Sequence, residues 1–154
     1  MCLSVLAVVP GAAAGAQAAA AEADGPPERE LAGADRYETS VEVARLFVAA
    51  ARASGRPAST VLVASGESLV DALSVVTLAA ALDAPIVLTR AAGLPSSVAA
   101  FLAEAGFTRV VVVGGSAAVS SSVQAELAAL PSVGPAGVER VAGQDRFATA
   151  AAIA

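Results

Sequence analysis

The sequence predicts an α/β fold: a flavodoxin-like or Rossmann-like doubly wound parallel sheet in three αβα layers, preceded by a signal peptide. Three observations predict it. Runs at 60–64, 86–89 and 109–113 are apolar without alternation, as strands covered on both faces must be. Segments with apolar residues at helical spacing lie between them on short loops, which implies right-handed crossovers and a parallel sheet. Finally, Leu31-Ala32-Gly33-Ala34-Asp35-Arg36-Tyr37-Glu38-Thr39 returns as Val141-Ala142-Gly143-Gln144-Asp145-Arg146-Phe147-Ala148-Thr149, 110 residues on. A fixed period of this kind marks a repeat architecture. The chain is thus expected to divide into a signal peptide (1–21), a linker (22–30), one repeat unit (31–140) and the opening of a second unit (141–154).

Composition narrows the function. The chain is 56% hydrophobic but only 3% aromatic, so the core is built from Ala and Val and buries little area per residue, at roughly 25 cal/mol per Å². A single unit is expected to gain stability by packing on a neighbour. The net charge of −5 argues against nucleic acid, whose phosphates need a basic face. There is no His, the commonest general base and metal ligand, and Cys2 is the only Cys, which leaves no disulfide and no thiolate metal site.

The first 23 residues form a zone of their own. Leu3–Val9 is an apolar run, followed by Pro10-Gly11 and small residues, with no charge before Glu22. This is the pattern of a secretory signal, with Ala16-Gln17-Ala18 or Ala18-Ala19-Ala20 as the cleavage site; a basic residue after Met1 is missing. The alternative is a single membrane anchor, but the strong run is far short of about 20 residues, so no stable span is expected. Residues 23–28, with Gly25-Pro26-Pro27, read as a linker.

Within the unit, Arg29–Ala32 is a short strand candidate and Gly33 turns the chain. Asp35 is an N-cap, with Glu38 three residues on completing a capping box. The helix that follows places Val41, Ala44, Val48 and Ala51 on one face, with Phe47 beside it and Glu42, Arg45 and Arg52 off it. Ser54-Gly55-Arg56-Pro57 ends it. The strand at 60–64 leads through Ser65-Gly66-Glu67 to a second capping box, Ser68 with Asp71, and a helix over 69–82 so apolar all round that burial is expected. Asp83-Ala84-Pro85 breaks that helix. Ile86-Val87-Leu88-Thr89 is the next buried strand. Leu94-Pro95 opens a helix with Val98, Phe101, Leu102 and Ala105 inward, and Gly106 stops it. After the strand at 109–113 come Gly114-Gly115-Ser116, a helix capped by Ser121 and Gln124 to about Leu130, and a strand at 138–141.

Six blocks in this order carry a family resemblance. They are Gly33-x-Asp35-Arg36-Tyr37-x-Thr39; Ser65-Gly66; Asp71-Ala72-Leu73-Ser74; Ala84-Pro85-Ile86-Val87-Leu88-Thr89; Val112-Val113-Gly114-Gly115-Ser116-Ala117-Ala118-Val119-Ser120; and Arg140-x-x-Gly143-x-Asp145-Arg146-Phe147-x-Thr149. The series resembles the type 2 cell-wall-binding repeat of Gram-positive and related bacteria, over residues 31–154. The resemblance implies flavodoxin-like units, about three in tandem, packed in a three-fold or pseudo-three-fold assembly. It implies non-covalent anchoring at the cell surface to an anionic wall polymer or peptidoglycan-associated glycan, in some members beside an amidase domain. A Pro-Ile-Leu-Leu stretch associated with anchoring in the family falls here on Pro85, Ile86, Val87 and Leu88, with Val87 in place of Leu. The partners implied are that polymer and further repeats, in cis or as a homotrimer in trans; no cofactor is implied.

The candidate residues each carry two readings. Arg36 and Arg146 contact polymer phosphates or carboxylates through their planar forks, or pair with an acid at the seam between units while the preceding Asp caps a helix. Tyr37 goes with Arg36. Pro85, Ile86, Val87 and Leu88 form a buried strand on physical grounds, so their link to anchoring runs through fold or assembly. Asp71, with Ser65, Gly66, Thr89 and Ser116, lies at or beyond strand C-terminal ends, where open α/β sheets bind ligands, or serves simply as a cap. Gly114-Gly115-Ser116 lacks the spacing and the Lys of a nucleotide loop. With no nucleophile elbow and no His, catalysis is not expected in this chain. Three functions follow: a secreted wall-binding module, the targeting segment of a wall hydrolase such as an N-acetylmuramoyl-L-alanine amidase, and a small-molecule or nucleotide-binding flavodoxin-like domain. The acidic chain is in tension with an anionic polymer, which calls for a local Arg cluster.

Overall fold

The computed structural model describes residues 30–67 and 69–143, with the backbone alone at 69–74. The expected signal peptide, most of the linker, the Ser68 cap and the second copy of the repeat opening beyond Gly143, Arg146 included, lie outside the described residues. Among the described residues four helices and four strands alternate: α1 (Arg36–Ala53), β1 (Thr60–Ser65), α2 (Leu69–Leu82), β2 (Ile86–Thr89), α3 (Ser96–Ala105), β3 (Arg109–Val113), α4 (Ser121–Ala128) and β4 (Val138–Val141), with a 3₁₀ turn at Pro135–Gly137 before β4.

The strands form one parallel sheet in the order β2-β1-β3-β4. The chain moves outward from β1 to β2, then crosses back to β3, so the order reverses between β1 and β3, as in flavodoxin-like sheets. Pleat alternation sorts the core. Val61, Val63, Val87, Val110 and Val112 point to the face covered by α1, α3 and α4, where they meet Val41, Val48, Val98, Phe101, Leu102, Val123 and Leu127. Leu62, Ala64, Val111 and Val113 point to the face covered by α2, through Val75, Leu78, Ala79 and Leu82. The predicted three-layer fold is the observed one.

α1 starts as its sequence dictates. Asp35 Oδ1 accepts from the N–H groups of Tyr37 and Glu38 at 2.9 Å each. Glu38 reaches one residue further back than a capping box requires and accepts from Ala34 N–H at 2.9 Å. Thr39 Oγ1 accepts from Gly33 N–H at 3.0 Å and donates to Asp35 C=O at 2.9 Å. A Cβ at Gly33 would overlap the first turn of α1, with Thr39 N at 2.6 Å, so only Gly fits this return of the chain.

Four expectations need correction. Glu30–Ala32 is not a strand: β3, the strand against which its counterpart β4 lies, belongs to the unit preceding that junction, and Glu30–Ala32 has no such neighbour among the described residues. α2 is not buried all round. Val76 is 55% exposed, and Thr77, Ala80 and Ala81 also face outward, because α2 is the only helix on its side of the sheet among the described residues. β2 is an edge strand, so Ile86 and Leu88 are only half-buried while Val87 and Thr89 are fully enclosed. Finally, Ser120 rather than Ser121 caps α4, and Gln124 is used elsewhere.

Candidate polymer-binding edge

The C-terminal ends of β1 and β2 bring one group of polar and aromatic residues together. Arg36, in the first turn of α1, donates from Nη1 to Gly66 C=O at 2.7 Å, just past β1. Tyr37, the next residue, is 8% exposed and packs into the core. A Cβ on Gly66 would come 2.7 Å from Tyr37 Cε1 and 3.3 Å from Arg36 Cδ, so a residue without a side chain lets these two close over the strand end. Arg90 follows β2 and lays its guanidinium 5.2 Å from the centre of the Tyr37 ring. Its Nη2 is 4.0 Å from Asp35 Oδ2, and 60% of its side chain is exposed. Glu67 Oε1 accepts from Ala91 N–H at 3.3 Å and ties the two loops together.

Arg90 was not singled out from the sequence. The available signal was its position: a basic residue directly after a strand that ends at Thr89, on the edge where such sheets bind ligands. Ser65 and Thr89, also at this edge, are enclosed; the Ser65 hydroxyl accepts from Glu67 N–H at 3.2 Å and the Thr89 hydroxyl donates to Arg90 C=O at 3.2 Å. Ser116 is exposed, beyond β3. The backbone of Asp71 lies in the first turn of α2; its side chain is outside the described residues.

Pro85, Ile86, Val87 and Leu88 take separate roles. Pro85 and Val87 are buried. Leu88 N–H, on the outer edge of β2, donates to Ser40 Oγ at 3.0 Å, while that hydroxyl donates to Tyr37 C=O at 2.7 Å. One side chain of α1 thus satisfies an edge-strand donor that would otherwise be open to pairing. Ile86 lines an apolar groove of ≈ 320 Å³ between α1 and α2, with Val43, Phe47, Val76 and Pro85. Val43 is 49% and Leu46 40% exposed on the same helix surface.

Every basic residue in the chain is Arg, with no Lys. Arg45, Arg56 and Arg109 face Glu104, Asp83 and Glu139 at 2.9, 3.4 and 2.6 Å. Arg36 and Arg52 instead donate to carbonyl oxygens, of Gly66 and Ala105. Arg140 donates from Nη1 to Gly114 C=O at 2.7 Å and from Nε and Nη2 to Gln124 Oε1 at 3.0 and 2.9 Å. Burial lowers the Arg140 pKa from its ordinary value, yet a guanidinium remains charged in proteins. Among the described residues no group of His, Cys, Asp and Glu is placed to hold a metal ion, and no helix is long and apolar enough to cross a membrane.

Arginines and a tyrosine thus gather at the C-terminal edge of a flavodoxin-like sheet, the edge at which open α/β sheets bind ligands. Residues 30–124 match cell wall binding domain 2 (CWB2), and the chain belongs to that family. It is 31% identical over 126 residues to N-acetylmuramoyl-L-alanine amidase LytC of Bacillus subtilis (strain 168), covering 82% of this chain and 23% of that protein. Among solved structures, Cwp6 from Clostridium difficile superposes with TM-score 0.71 at 31% identity, over 80% of this chain and 18% of its own. Cwp8 from the same organism gives 0.64 at 30% identity, over 80% and 20%. The chain spans about a quarter or less of the length of these relatives. It is a cell-wall-binding domain, and the matched region is the family's binding domain rather than a catalytic one.

Proposed function

We propose that this chain is the non-catalytic wall-binding module of a secreted bacterial surface protein, holding non-covalently to an anionic wall polymer. The CWB2 match over residues 30–124 carries the reading. The edge built by Arg36, Tyr37 and Arg90 supports it. Arg36 spends one donor on Gly66 C=O and keeps its positive charge, while Arg90 stands exposed over an aromatic ring. Forked cations at a strand-end edge suit phosphate or carboxylate groups repeated along a polymer. They also set two guanidiniums, beside the carboxylates of Asp35 and Glu67, where an acidic chain needs cations to meet an anionic partner. Arg146, at the equivalent place in the second copy, supplies the same group to the next unit.

Tandem or associated units are part of this reading. The apolar groove lined by Val43, Phe47, Val76 and Ile86 is the surface on which a further repeat, in cis or as a homotrimer in trans, would pack. The Pro85–Leu88 stretch then acts through fold and assembly: Pro85 and Val87 are enclosed, and Ile86 opens onto the groove.

The test is retention by purified cell wall. The protein is expected to sediment with walls that carry their anionic polymer, to be released as salt rises, and to stay in solution with walls stripped of polymer. Equal retention on stripped walls would overturn the polymer reading.

A second reading is favoured by the 31% identity to LytC, an amidase by name: this segment targets a wall hydrolase, with catalysis in a different domain. Reading the coding sequence downstream of the Ala154 codon tests it. A hydrolase domain in frame supports this reading, and an in-frame stop or a run of repeats alone overturns it.

A further inference from the structure

Ahead of the repeat opening, residues 28–31 read Glu-Arg-Glu-Leu and residues 138–141 read Val-Glu-Arg-Val, so the copies differ in an ordered pair of charges and in the residue before it. At the 110-residue offset set by Gly33 and Gly143, Val141 stands on Leu31, Arg140 on Glu30 and Glu139 on Arg29. The apolar residue is kept at Leu31 and Val141 but not at Glu28 and Val138, and the two charged residues between them change places.

In the second copy this pair lies in β4, and both members are matched to the unit before them. β4 pairs in parallel with β3 from Val110↔Val138 to Val113↔Val141. Glu139 points to one face, where its Oε2 accepts from Arg109 Nη2 at 2.6 Å. Arg140 points to the other face and donates to Gly114 C=O past β3 and to Gln124 Oε1 on α4. Arg109 can only offer positive charge, and Gly114 C=O can only accept. The receiving surface therefore asks for an acid and then a base on a four-residue parallel strand. Val138 and Val141 complete the fit by packing on opposite faces of the sheet.

The first copy fails that test. Laid in the place of β4, Glu28 would replace the core-packed Val138, Arg29 would meet Arg109, and Glu30 would set a carboxylate against Gly114 C=O. Residue 139 lies across from Val111 with Arg109 diagonal to it on the same face, within reach of long side chains, so like charges there repel, and a half-buried carboxylate facing a carbonyl has no donor. Glu30–Ala32 is irregular and adds no strand to this sheet.

We propose that β4 is a strand handed from one repeat to the sheet of the unit before it, and that the order Glu139-Arg140 admits this strand while the order Arg29-Glu30 is rejected. The charge order works as a register and partner code. It keeps a second copy from exchanging its own residues 28–31 into this sheet, so units join in chain order instead of swapping. Lowering of the Arg140 pKa by burial fits a side chain partly covered by the receiving unit.

Amide hydrogen exchange on the full chain tests this, comparing the parent with Glu139→Arg/Arg140→Glu. The exchanged order is expected to reduce protection at 109–113 and 138–141 by about tenfold or more, while 61–65 keeps its protection. Adding Arg109→Glu to the exchanged chain restores an opposite-charge pair and is expected to recover part of the loss, whether that loss is local or spread over the whole unit. Unchanged protection in the exchanged chain overturns the proposal, and so does a loss that Arg109→Glu leaves unrepaired.

Discussion

The two faces of the sheet are built from the same kind of strand and end in different states. On one, α1, α3 and α4 close over Val61, Val63, Val110 and Val112, and the large side chains Phe101, Leu102, Phe107 and Leu127 are enclosed. On the other, α2 is the only covering helix among the described residues, and Val76 and the apolar groove beside Ile86 stay open. A chain with 3% aromatic residues concentrates them where helices meet: Phe101 and Phe107 form an edge-to-face pair at 5.8 Å, with Arg45 5.3 Å from the Phe101 ring. The closed face holds the fold, and the open face is where the proposed neighbouring unit would pack. Equal apolar composition thus serves two ends, set by how many helices each face receives.

That contrast can be broken at its strongest point first. Phe101→Ala removes an enclosed ring from the closed face and should cost about 3–5 kcal/mol, read as a large fall in the denaturant midpoint. Gly66→Ala forces a methyl against Tyr37 and Arg36, at the end of β1, and is expected to cost about 1–3 kcal/mol by the same measurement. Asp35→Ala removes the cap that takes two N–H groups of α1 and should cost about 1 kcal/mol, with Asp35→Asn keeping most of it. Val76→Ser, on the open face, is expected to change unfolding stability by within about 0.5 kcal/mol while weakening association between units, as sedimentation velocity would show. A Val76→Ser loss as large as that of Phe101→Ala would erase the distinction between the faces.

Much of this architecture was legible because its causes are local. Asp35 announces a helix start by the geometry of a short acid side chain, and Gly106 announces a helix end, which it makes at φ 77°. Continuous valines at 110–113 announce a strand covered on both faces. What escaped depends on neighbours. Whether residues of the repeat opening form a strand depends on a β3 beside them, so the same frame is irregular at Glu30–Ala32 and extended in β4. The apolar circumference of α2 cannot say how many helices share its face. Gln124 looks like part of a cap until β4 brings Arg140 against it. Of the candidate site, Arg36 and Tyr37 were visible in the repeated motif, whereas Arg90 joins them only because the parallel β1–β2 pairing sets the two strand ends side by side.

In the proposed function the strand-end edge holds an anionic wall polymer. Depletion isotherms on purified walls, comparing the parent chain with Arg36→Ala/Arg90→Ala, test it most directly. The variant is expected to keep its helical circular dichroism spectrum and thermal midpoint to within a few degrees, yet to bind polymer-bearing walls about tenfold more weakly, with both proteins unbound on stripped walls. Parent and variant isotherms that coincide on polymer-bearing walls would contradict the account.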